Sequence, residues 1–178
     1  SIDVYQSPNV DFICDAHYLP FKEEGFDGVW IQAVLEHVIE PQVVVNEIHR
    51  VLTADGVVYA ETPFLVPVHE GAFDITRFTL LGHRFLFKRF ELISMGGNKG
   101  VTISVAHSLR YLAWGLSRSR HVANFFFTIA LFLLRPLSGL TSPKSDFDAP
   151  AGVFFMGKKN KTQIRHSDLK DLYRGFMR

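Results

Sequence analysis

VDFICDAHYLPF (residues 10–21), GFDGVWIQAVLEHV (residues 25–38) and RVLTADGVVYAETPF (residues 50–64) decide the fold. The first is a short apolar run that ends in an acid and a Leu-Pro-Phe turn. The second opens on a Gly/Asp break, continues as an apolar run and passes into a helical pattern near Ala33. The third is a turn followed by another apolar run. Strand, loop and helix repeating in this order predict an α/β fold: a Rossmann-like, doubly wound, mostly parallel sheet with helices crossing its faces. The glycine-rich strand-to-helix turn that usually opens such a sheet and receives its cofactor has no counterpart in this sequence. The chain is therefore expected to be incomplete at its N-terminus, the C-terminal majority of a larger nucleotide-binding enzyme.

Moving outward, residues 2–4 read as a strand tail closing on Asp3, and residues 33–52 as helix with a joint at Pro41. Val43, Val44, Ile48, Val51 and Leu52 give that helix an apolar stripe, with Glu47 and Arg50 largely on the other side. Residues 63–69, with two prolines and no period, predict a loop. Residues 80–87 predict a helix, 90–95 a strand and 96–100 a glycine-rich turn. Residues 101–111 suit strand or helix, and 109–134 are mostly helical in pattern. An exposed connection over 137–150 precedes a last strand at 151–157. The domain reading is 1–160 as one unit, with 101–150 a helical insertion or lid. The charged tail 161–178 is expected to be loose or weakly helical.

Composition narrows the class. With 178 residues, 47% apolar and 21% charged, the chain can bury a core. A net charge of +1 gives no electrostatic reason to expect nucleic acid as a partner. The single cysteine, Cys14, placed inside an expected buried strand, excludes an internal disulfide and suits a cytoplasmic protein. The chain has 17 phenylalanines, most of them after residue 64, so its second half must pack something apolar. The most apolar segment, 122–134, falls short of the ~20 residues of a span and is stopped by Pro136. Arg118, Arg120, His121 and Arg135 flank it. It reads as a helix packed on the domain or, alternatively, as one making peripheral contact with a membrane.

A specific resemblance rests on four motifs. Asp15-Ala16-His17-Tyr18-Leu19-Pro20-Phe21, Phe26-Asp27-Gly28-Val29, Leu35-Glu36-His37-Val38, and Glu47-Ile48-His49-Arg50-Val51-Leu52 with Asp55-Gly56 stand in order. Together they resemble the type 11 group of class I S-adenosylmethionine-dependent methyltransferases. Two departures stand out: Asp55-Gly56 replaces the usual pair of glycines, and the family's first glycine-rich motif is missing. The resemblance implies methyl transfer from S-adenosylmethionine to a small acceptor, which the aromatic second half suggests is apolar or aromatic. It also implies that the last strand inserts antiparallel.

By the same resemblance Asp3 is the ribose-binding acid, with a turn aspartate as the alternative. Asp15 and the backbone of Ala16 would meet the adenine, or Asp15 would cap its loop. Gln32 and Ala33 would pass the methionine part, with His37 lining the pocket or acting only as a structural hydrogen bonder. The segment 63–79 resembles a subset of these enzymes and should overhang the acceptor, with Phe64, His69, Asp74 and Arg77 as its contacts. His69 could take a proton from the acceptor, since imidazole titrates near neutrality. Asp74 could orient it, or Asp74 and Arg77 could simply lock the loop. Metal binding is not expected, because His17, His37, His49, His69 and His83 lack ligand spacing. A non-enzymatic alternative is an inactive remnant serving as an interaction or membrane-surface protein.

Overall fold

Two short parallel strands, β1 (Ile2–Asp3) and β2 (Phe12–Ile13), pair with each other in the computed structural model, which describes residues 1–177. They form a sheet of their own. The main sheet holds β3 (Phe26–Gln32), β4 (Leu52–Pro63), β5 (Phe90–Asn98) and β6 (Gly152–Lys159), in the spatial order β3-β4-β6-β5. β3 and β4 are parallel, and β6 runs antiparallel to both β4 and β5. Every strand of the main sheet but β6 therefore points the same way. This is the Rossmann-like α/β arrangement expected, with the antiparallel last strand in place.

Helices join these strands. Helix α1 (Pro41–Val51) leads into β4, and α2 (Leu80–Leu86) into β5. Between β5 and β6 lie α3 (Val101–Ser117), α4 (Arg120–Leu134) and α5 (Pro143–Asp148), and α6 (Leu169–Leu172) ends the fold. One face of β4 buries Val58, Ala60 and Thr62, while Val57, Tyr59 and Glu61 on the other face stay partly exposed. The buried face packs against Val44, Val45 and Ile48 of α1 and against Phe87, Phe90 and Phe155. Phe87 and Phe155 stack at 4.8 Å, a geometry that adds to simple area burial. The opposite face carries an aromatic row in which Tyr59 meets Trp30 at 4.4 Å and Phe154 at 6.2 Å.

Several expectations change. Residues 33–40 are turns, not helix, and Ala33 takes a left-handed φ of 52° that ends β3 abruptly. Pro41 begins a new helix as expected: it opens α1, where its missing N–H costs nothing. The glycines at 96 and 97 extend β5 instead of forming a turn, because α5 lies over them. A Cβ on Gly97 would sit 2.3 Å from the Asp146 carbonyl oxygen, so only glycine admits the approach. Residues 101–111 are helix. The apolar run does not stop at Pro136: α4 continues into a 3₁₀ turn at Arg135–Gly139, giving 20 residues long and apolar enough to cross a bilayer by length and composition. Cys14 is not in a buried strand, since Phe12 and Ile13 beside it are 55% and 59% exposed. The tail after Asn160 folds back: Ile164 donates to the Lys88 carbonyl, and the Asp148 carboxylate accepts from Tyr173 Oη and the Phe176 N–H.

Candidate active site

In a sheet of this kind ligands collect beyond the carboxyl ends of the parallel strands. Asp3 ends β1, and the Cys14 N–H donates to its carbonyl at 3.0 Å, so the carboxyl ends of β1 and β2 lie side by side. Asp3 Oδ1 accepts from the Tyr5 N–H at 2.9 Å. Asp15 Oδ1 accepts from the His17 N–H at 2.8 Å and meets His17 Nδ1 at 2.6 Å. The hydrogen bonds from His17, its backbone first, hold the Asp15 carboxyl below the ordinary range. His17 Nε2 in turn accepts from the N–H of Glu40, the residue that precedes α1. Ala16 packs against the core.

The loop after Asp15 is clamped by α1. Glu47 Oε2 accepts from the Leu19 N–H at 3.0 Å, and Arg50 donates to the carbonyls of Leu19 and Phe21 and to both oxygens of Glu47. The helix face opposite the apolar stripe is thus the one that fixes the Leu-Pro-Phe turn. From that turn the Phe21 ring makes edge contacts with Phe12 at 5.6 Å and Phe26 at 5.1 Å, joining the two sheets.

Gln32 ends β3 and donates through Nε2 to Glu61 Oε2 at 2.8 Å, while its Oε1 accepts from Trp30 Nε1. The Ala33 N–H donates to the Glu61 carbonyl. His37, placed in a turn and not on a helix, meets the Phe73 carbonyl through Nδ1 at 2.8 Å.

The loop after β4 supplies the other wall. His69 Nδ1 lies 3.1 Å from Asp74 Oδ2, and the His69 N–H donates to the same oxygen at 3.0 Å. Arg77 forms a two-pronged pair with Asp74 and donates to the carbonyls of Val66, Pro67 and Thr76. The Arg77 guanidinium holds the Asp74 carboxyl down at about 2. Arg77 therefore spends its donors on locking the loop, and Asp74 both locks it and orients the His69 ring. The Phe64 N–H donates to the Ala151 carbonyl. Phe64, Leu65, Val66 and Pro67 face Val101, Ser104, Val105 and Ser108 of α3 across an open groove of about 460 Å³.

One member of the site escapes a linear reading. Glu36 is fully buried, and neither of its carboxylate oxygens has a hydrogen-bond partner among the described residues. Burial pushes its carboxyl above the ordinary value. The only hint in the sequence is an acid beside a histidine in an apolar run. The histidines judged scattered are not all so: the His37 and His69 rings lie 5.1 Å apart, edge to face, on either side of Glu36. His17, His49 and His83 stay apart from them, with His49 against the Asn160 carbonyl and Phe90 and His83 buried beside Phe87.

Residues 3–60 match the model of a methyltransferase domain, which supports S-adenosylmethionine as the cofactor. No curated protein matches the sequence. A Haloferax volcanii complex between the Trm112 methyltransferase activator and a methyltransferase is 15% identical, with a TM-score of 0.54, covering 86% of this chain and 62% of that one. The [4+2]-cyclase SpnF is 19% identical, with a TM-score of 0.48 and coverages of 86% and 58%. Phosphoethanolamine N-methyltransferase 2 of Haemonchus contortus, solved with S-adenosylhomocysteine and phosphomonomethylethanolamine, is 14% identical, with a TM-score of 0.49 and coverages of 84% and 37%. The chain thus spans about 60% of the length of the first two structures. Over residues 3–60 it is similar to the methyltransferase domain, and its remaining elements continue the same α/β fold.

Proposed function

We propose that the chain is the greater part of an S-adenosylmethionine-dependent methyltransferase acting on a small, apolar or aromatic acceptor. The observation that carries this reading is the placement of Asp3, Asp15 and Gln32 at the carboxyl ends of parallel strands, within the segment that matches the methyltransferase domain. The donor set fits the cofactor. Asp15 is ionised, and its second oxygen makes no described hydrogen bond, so it can accept from the adenine amine. Asp3 offers a carboxylate to the ribose. Gln32 and the sharply turned Ala33 bring backbone and amide groups to the amino-acid end. When bound, S-adenosylmethionine supplies an electrophilic methyl group.

The protein's part in such a transfer is positioning. The Glu47–Arg50 clamp holds the loop after Asp15, and the Asp74–Arg77 pair holds the loop bearing Phe64 and His69. The groove between that loop and α3 is lined mainly by Phe64, Leu65, Val66, Pro67, Val101 and Val105, which suits an apolar acceptor. His69 presents Nε2 to the site because Nδ1 faces the Asp74 carboxylate, so we assign the acceptor's proton to it.

Calorimetric titration of the full-length gene product with S-adenosylhomocysteine tests the reading. We expect saturable binding that weakens about tenfold or more in Asp15→Ala, the loss of one charge-assisted hydrogen bond. Absence of binding in the parent protein would overturn it.

A second reading concerns where the protein works. Phe125, Phe126, Phe132 and Leu133 of α4 are 62%, 50%, 79% and 61% exposed. These side chains leave α4 a bare apolar face, and basic residues border it. It favours a cytoplasmic enzyme that rests on a membrane through residues 122–134. Flotation with anionic liposomes, lost on Phe126→Asp with Leu131→Asp, would support this; unchanged flotation of that double variant would reject it.

A further inference from the structure

Glu36, His37 and His69 offer three ligand atoms that lie within 4.8 Å of one another, although α1 and β4 lie between His37 and His69 in the chain. Glu36 Oε1 is 3.7 Å from His37 Nε2 and 3.9 Å from His69 Nε2. These are too long for hydrogen bonds. Ligands about 2.1 Å from a common zinc-like ion would stand about 3.0–3.4 Å apart, so the two carboxylate–imidazole distances exceed that spacing by roughly half an ångström, and the three atoms would draw together on binding.

Both histidines are already oriented for ligation. His37 Nδ1 faces the Phe73 carbonyl, which can only accept, so in the neutral ring Nδ1 carries the hydrogen and Nε2 the lone pair. His69 is fixed in the same tautomer by the Asp74 carboxylate, itself held by Arg77. A carbonyl and a carboxylate behind the outer nitrogens are the supports that metal-binding histidines use. Between the two lone pairs sits a carboxylate with no exposed surface and no partner on either oxygen, a group that native proteins seldom leave uncompensated. The His69 side chain is 42% exposed, which leaves the cluster an opening to solvent.

We propose that Glu36, His37 and His69 bind a divalent first-row transition-metal ion, zinc or ferrous iron, with coordination positions left open toward solvent. Two imidazoles and one carboxylate are the set that catalytic zinc and open-sided iron sites use, whereas magnesium and calcium favour oxygen ligands. The inference stands apart from the methyl-transfer reading, since a cation would bind these three groups whatever reaction they serve. With an ion bound, both Nε2 lone pairs would be engaged, so His69 Nε2 would hold either the ion or the acceptor's proton, not both at once.

The test uses the full-length protein stripped with chelator and titrated with Co²⁺, followed by its visible absorption, with Zn²⁺ as the competitor. Expected are saturation at one ion per chain, displacement by Zn²⁺, and at least about a tenfold loss of affinity in His69→Ala and Glu36→Gln. His121→Ala, on exposed α4, should bind as the parent does. Thermal melts without metal establish that each variant is folded. Should Glu36→Gln fail to fold, His69→Ala, altered at a partly exposed loop position, decides alone. No cobalt spectrum in the parent, or an affinity untouched by the His69 substitution, would overturn the proposal. S-adenosylhomocysteine titration of the same samples reports on the methyl-donor site separately.

Discussion

Helices α1 and α4 make opposite use of their composition. α1 carries Gln42, Asn46, Glu47, His49 and Arg50 among its apolar residues, yet buries Val44, Val45, Ile48, His49 and Val51. α4 is nearly all apolar from Val122 onward and buries only Ala123 and Ala130. Burial follows the partner an element meets, not the hydrophobicity it carries: α1 has a sheet to pack on, while α4 packs chiefly against α3.

That contrast can be broken at its strong end first. Phe155→Ala, beneath Phe87 and Phe90, should cost about 3–5 kcal/mol in urea unfolding, because a fully buried ring leaves a cavity. A smaller cost would show that this core is less rigid than its stacking implies. Next is the polar edge of α1. Glu47→Ala removes the acceptor of the Leu19 N–H and unpairs Arg50, which should cost about 1–3 kcal/mol in the same measurement.

The third test is pH. Burial holds His83 neutral with its pKa at about 3, well below the usual histidine value of 6.5. The unfolded chain therefore binds a proton that the folded one refuses between those values. The contribution of His83 to stability is fully present above 6.5 and is lost as pH falls toward 3, with a slope of at most about 1.4 kcal/mol per pH unit. His83→Leu should flatten that part of the stability profile. An unchanged profile would mean that the ring finds a proton donor or acceptor in the fold. The smallest effect belongs to α4: Phe132→Ala should shift stability by no more than about 0.5 kcal/mol, since the ring is 79% exposed. A larger loss would show that a partner already covers the helix.

The same contrast marks what could be read from the sequence. The mostly parallel α/β sheet was legible because period, turns and motif order all agreed on it, and the antiparallel insertion of β6 was implied by the family resemblance. The helix assumed for residues 33–40 was not. A left-handed Ala33 breaks the pattern, and few sequence signals announce a non-glycine residue at positive φ. The Glu36 cluster was invisible for a related reason: His37 and His69 meet only because the turn after β3 and the loop after β4 fold over one another, at a separation no spacing rule covers. Glu47 and Arg50 were placed opposite the apolar stripe but not against residues 19–21, because helical periodicity says which side is polar, not what loop lies across it.

At its root the α3–α4 hairpin has almost no slack. Gly97 lies against the Asp146 carbonyl and Gly100 against its carboxylate, which accepts from the Val101 N–H, and Tyr111 Oη, nearly three turns further along α3, donates to the Val68 carbonyl beside His69. The hairpin that carries the bare phenylalanines and the loop that carries His69 are thus joined through α3.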